Sequence, residues 1–107
     1  MTTDAATVLR PYRDQLAVLD EQLVELLAQR FAVCREVAET KRATGIPMMQ
    51  PDRVEHVKQA YVARGRRLGL DPAFLRTLAA LIIDEACRLE DDVIAGSRPR
   101  DGEGADR

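Results

Sequence analysis

Tryptophan is absent from this 107-residue chain, and two Tyr and two Phe are its only aromatic residues. A core poor in rings and rich in Leu, Val, Ile and Ala suits helix packing better than a sheet sandwich. The single histidine, His56, has no Cys or acid cluster around it, so no metal site is expected. Cys34 and Cys87 follow no metal-ligand spacing, and a buried, reduced thiol inside a helix is the reading for each. A Gly-rich phosphate loop and a paired nucleophile and base are both missing, which argues against phosphoryl transfer and covalent catalysis. The formal net charge is −2 with both signs interspersed, and no basic block offers itself to nucleic acid. No stretch is long enough to cross a membrane, and Met1 to Arg10 lacks the apolar segment of a secretory signal. The expected compartment is the cytoplasm, with neither membrane nor nucleic acid as partner.

What is present is helical periodicity. Apolar residues make up 46% of the chain, and its length fits one domain. From Leu9 to about Thr44 the stripe reads Leu16, Leu19, Leu23, Leu26, Arg30, Val33, Val37, Lys41, widened by Leu27 and Phe31. Steps of three and four predict one long helix, starting near Pro11 and stopped by Gly45 and Pro47. A second helix is predicted from Pro51 to near Leu68, with Val54, Val57, Tyr61 and Leu68 on one side. Asp71-Pro72 reads as a cap and first residue of a third. It runs to about Ala95 with Leu75, Leu78, Ile82, Ala86, Leu89 and Val93 inward, and ends at Gly96. Residues 1–8 are expected to be a flexible lead-in and 97–107 a disordered tail, leaving one helical domain at 9–96.

The expected fold is therefore all-α, with one long and two shorter helices. A helix of thirty-odd residues extends roughly 50 Å, whereas a compact domain of this size has a radius of gyration of about 13 Å. Two shorter helices cannot cover the whole stripe, and a second copy is its simplest cover. An intertwined homodimer follows as an expectation.

Charges interrupt these stripes. Arg30 and Lys41 occupy inward positions on the first helix, and Arg13 continues that line towards its start. Glu90 lies on the corresponding line of the third helix, after Ile83 and Ala86. Each could pair with a local acid or reach out to water at a helix end. Together they point instead to a polar pocket within a helical bundle. Its ligand would carry more than one carboxylate, since guanidinium groups match carboxylates with two parallel hydrogen bonds. Such a pocket orients and stabilises charge, and calls for no cofactor.

The ordered set Arg13, Leu19-Asp20-Glu21, Leu26-Leu27-Ala28-Gln29-Arg30, Lys41, Pro47 through Arg53, Ile82-Ile83-Asp84-Glu85 and Glu90 resembles the type II, all-helical chorismate mutases over residues 9 to 95. The resemblance implies a dimer with two shared sites, each taking Arg30, Lys41, Arg53 and Glu90 from one chain and Arg13 from the other. It implies that the arginines hold the carboxylates of the substrate, while Lys41 and Glu90 serve the ether oxygen whose bond to carbon breaks. A carboxyl group at the Glu90 position would help only when protonated. Gln50, Val54 and Ala86 fall among the substrate-lining positions.

Two positions depart from the common pattern. Gln50 stands where the family usually has an acid and Val54 where it has Glu, in the region that contacts carbon 4 of the substrate ring. The segment Pro47-Met48-Met49-Gln50-Pro51 with Arg53-Val54, and Cys87-Arg88-Leu89-Glu90-Asp91, resemble the 4-amino-4-deoxychorismate mutases of antibiotic pathways. That group rearranges the amino analogue of chorismate to 4-amino-4-deoxyprephenate, on the way to p-aminophenylalanine units. An ordinary chorismate mutase, an isochorismate pyruvate lyase and a non-catalytic helical dimerisation module remain the alternatives.

Overall fold

The computed structural model describes residues 4–47 and 50–96. The tail expected at 97–107 lies outside the described residues, as do residues 1–3, Met48 and Met49. Three helices follow in order: α1 (Ala5–Thr44), α2 (Pro51–Arg67) and α3 (Pro72–Ala95), with no strand among the described residues. The all-α expectation of one long and two shorter helices holds.

At 40 residues, α1 is about 60 Å long. It begins at Ala5, ahead of the expected start near Pro11, so the helical part of the chain includes residues assigned to a flexible lead-in. Asp4 explains the earlier start. Its carboxylate accepts from the Ala6 amide at 3.3 Å and the Thr7 hydroxyl at 3.0 Å, and its carbonyl accepts from the Val8 amide. Pro11 consequently lies inside the helix, where its missing N–H leaves the Thr7 carbonyl without its regular partner. The far end stops as expected: Gly45 takes a left-handed φ of 76° and its amide reaches the Lys41 carbonyl at 2.8 Å.

The chain divides into two units, Met1–Ala32 and Val33–Arg107. Among the described residues of the first, none is buried: Leu16, Leu19, Leu23 and Leu26 are 57–60% exposed, and only Leu27, Arg30 and Phe31 are partly covered.

The second unit has a core of its own. Here α3 folds back on α2 through the turn at 68–71, in which Gly69 also has positive φ. Asp71 caps α3 by accepting from the Phe74 amide at 2.9 Å, with Pro72 first in the helix. Leu75 and Ala79 are buried, and Gly65 lets α2 come close: a Cβ there would lie 1.8 Å from Leu75 Cδ1. Glu55 and Arg76 tie the same two helices at 3.1 Å. Ala38, from the last turns of α1, is fully covered, as Ala86 nearly is. Of the inward residues expected on α3, Leu78, Ile82, Leu89 and Val93 are partly covered. The small residues Ala38 and Ala79 are buried although the apolar stripe did not include them. On α2, Val54, Val57 and Tyr61 are half-buried, while Leu68 is corrected to exposed because it lies past the helix end, at the C-cap.

Candidate functional site

Burial identifies the face, and charge then identifies the site. On α1, Ala38 is followed three residues later by Lys41; on α3, Ala86 is followed four residues later by Glu90. Both charged residues therefore share the covered faces of their helices. They meet there. Lys41 Nζ donates to Glu90 Oε1 at 3.5 Å, with the side chains only 17% and 13% exposed. The last turn of α1 also favours a cation through the helix dipole.

Magnitudes bear on what such a pair is for. At this separation two unit charges attract by on the order of 4 kcal/mol at an effective dielectric of ~20. Withdrawing each from water costs several kcal/mol, so the pair roughly breaks even as a stabilising device. An apolar pair would serve folding as well. A cation and a carboxyl group held side by side, mostly out of water, instead offer a donor and an acceptor to a polar ligand atom. Lys41 is here the donor and Glu90 the acceptor; a protonated Glu90 would become a donor itself.

Nearby, burial pushes the Cys87 thiol above its ordinary pKa, and the negative charges of Glu90, Asp91 and Asp84 add to this, with Lys41 opposing. The thiol is thus held protonated at neutral pH. Cys34 and Cys87 are both only partly covered, rather than buried as expected.

The other expected residues fall into two groups. Gln50, Arg53 and Val54 gather at the start of α2. Gln50 is the N-cap residue, yet its side chain makes no capping bond; its amide instead donates to the Pro47 carbonyl at 3.4 Å, while the Arg53 and Val54 amides reach the Gln50 carbonyl. Asp, better suited to capping, is thus not missed for its helix-starting role alone: Pro51 at the first position already sets φ. Arg53 is exposed and Val54 half-buried. In the first unit, Arg13 is exposed and Arg30 half-buried on α1.

Elsewhere the charges pair locally. Arg88 grips Glu85 with two hydrogen bonds of 2.9 and 2.7 Å and also reaches Asp92, and Arg42 pairs with Glu39. Hydrogen bonding from Arg88 holds the Glu85 carboxyl below its usual range, and Arg76 does the same for Glu55. The role of Arg76 as a tie between helices was not read from the sequence, because its partner is twenty-one positions away. Among the described residues no cluster of His, Cys, Asp and Glu could hold a metal ion, and no helix is long and apolar enough to cross a membrane.

Comparison with known proteins gives these positions a context. Residues 12–91 match the family described as chorismate mutase type II. The chain is 41% identical to a 4-amino-4-deoxychorismate mutase of Streptomyces pristinaespiralis over 85% of its own length and 70% of that protein. It is 38% identical to a protein of the same description from Streptomyces venezuelae, over 81% and 84% of the two chains. A bifunctional chorismate mutase/prephenate dehydratase of Escherichia coli is 30% identical over 69% of this chain, but only 19% of that longer protein is covered.

Proposed function

The chain belongs to the type II chorismate mutase family and is an isomerase; from that premise we propose that it converts 4-amino-4-deoxychorismate to 4-amino-4-deoxyprephenate without a cofactor. The observation that carries the reading is the half-hidden Lys41–Glu90 pair, in a chain similar throughout most of its length to enzymes described by that substrate. Gln50 and Val54, in place of two acids, support the amino-substituted substrate over chorismate. Nothing in the structure accounts for why Val54 would suit an amino group.

The reaction is an internal Claisen-type rearrangement: one carbon–oxygen bond breaks as one carbon–carbon bond forms, and no atom enters or leaves. The enzyme therefore has to hold a compact conformer and stabilise charge growing on the ether oxygen. Arg30 and Arg53 bind the two carboxylates, with Arg13 from a second copy completing the site. The ether oxygen takes the hydrogen bond Lys41 gives to Glu90, and a Glu90 carboxyl that had taken a proton from solvent would donate to the same oxygen. Ala86, one turn before Glu90, is among the positions the family resemblance gives to the substrate. The uncovered Leu16–Leu26 stripe of α1 supports the homodimer this arrangement requires. A role in assembling p-aminophenylalanine units of antibiotics follows from the same substrate.

The test offers the purified protein 4-amino-4-deoxychorismate, chorismate and isochorismate in turn, with products followed by mass spectrometry. Fastest turnover of the amino compound, at unchanged mass, is expected. Faster turnover of chorismate would make it an ordinary chorismate mutase, the reading its 30%-identical relative supports. Pyruvate release from isochorismate would make it a lyase.

A further inference from the structure

Within Val33–Arg107, a second feature lies apart from every candidate residue for the substrate. Gln59, Val62, Ala63 and Arg66, at steps of three and four, line one wall of a groove of about 380 Å³. Pro72, Ala73 and Arg76 at the start of α3 line the other. We propose that this groove binds a small carboxylate with an apolar body, at a site separate from the substrate's.

Three observations on this groove point to that ligand. Its size falls at the lower end of the range for small-molecule sites, about 300–1,000 Å³. Its chemistry is divided: Val62, Ala63, Pro72 and Ala73 give an apolar lining, with Arg66, Arg76 and the Gln59 amide as polar groups. Finally, Arg66 is available while the neighbouring acids are occupied. Glu55 is engaged by Arg76 and Gln59, and Asp71 caps α3. Arg76 reaches both oxygens of Glu55 through Nη2 alone, leaving Nε and Nη1 for another acceptor. Among the described residues Arg66 has no ion-pair partner, and Arg64 and Arg67 beside it in the last turn of α2 add positive potential. An exposed arginine at a helix C-terminus is ordinary by itself. Two arginines from different helices beside one apolar lining suit a carboxylate, and that lining disfavours a bare inorganic anion.

The experiment is an amide NMR titration of the full chain with 3-phenylpropanoate, repeated with inorganic phosphate. Saturable shifts at Val62, Ala63 and Ala73 are expected, with phosphate binding at least tenfold more weakly. Arg66→Gln should weaken 3-phenylpropanoate binding tenfold or more while leaving turnover of the substrate unchanged. Arg76→Gln should weaken it as well. Shifts centred on Lys41 and Glu90 would mean that the probe enters the substrate site, and would overturn the proposal. So would equal binding of phosphate, unaltered affinity in Arg66→Gln, or no saturable shift. None of these outcomes depends on which substrate the enzyme turns over, so this site and the proposed function fail separately.

Discussion

The unit Met1–Ala32 and the unit Val33–Arg107 carry similar apolar periodicity and very different surfaces. In the second, Ala38, Ala79 and Ala86 are buried, and Gly65 against Leu75 lets α2 and α3 approach closely. In the first, four leucines of the stripe stay more than half exposed. Both begin from an amphipathic helix; among the described residues only the second is covered. A stripe specifies which face needs burial, whereas what buries it depends on the rest of the fold. Isolated apolar residues on a surface are commonplace, whereas a leucine row along one helix face is the pattern that interaction surfaces carry.

The comparison breaks most severely if the bare stripe is made polar. Leu19→Asp combined with Leu23→Asp should abolish self-association and, with it, turnover, as read by analytical ultracentrifugation and assay on one sample. An unchanged dimer would remove the stripe from the interface. Next in size is the close approach on the other side. Gly65→Ala places a methyl group into Leu75, and overpacking of this kind costs about 1–3 kcal/mol, visible as a lowered thermal midpoint. An unchanged midpoint would mean that Leu75 swings aside freely.

The smallest effect concerns the tie between α2 and α3. Arg76 holds the Glu55 carboxyl below its usual range. A depressed folded pKa stabilises the fold above the unfolded value, and that contribution is lost as pH falls through the folded one. Arg76→Ala should return the Glu55 titration, followed by carboxyl-carbon NMR, to the ordinary range and remove that acid-side loss. A midpoint that stays low would assign the shift to another neighbour.

Much of this was legible beforehand. Asp71-Pro72, Gly45 and Pro51 are local signals acting over one turn, and α2 and α3 start where those residues say. Pro11 has the look of a first-turn residue and so hides the cap at Asp4; inside a helix it costs a hydrogen bond and sets its ring against the carbonyl four residues back. Ala38 and Ala79 escaped the stripe because alanine marks close approach rather than bulk, and close approach depends on the partner helix. Lys41 and Glu90 were singled out for interrupting apolar lines, and the structure brings them together across forty-nine positions. The groove at Arg66 and Arg76 was not legible, since it depends on how α3 turns back on α2.

The most direct test of the central claim compares single-turnover rates of Lys41→Gln and the unaltered enzyme on 4-amino-4-deoxychorismate, with thermal midpoints from the same samples. Gln keeps a donor beside Glu90 but gives up the ammonium. If the pair stabilises charge on the breaking ether bond, the rate falls about 10²–10³-fold while the fold persists. A near-normal rate in the folded variant would make the pair structural and contradict the account.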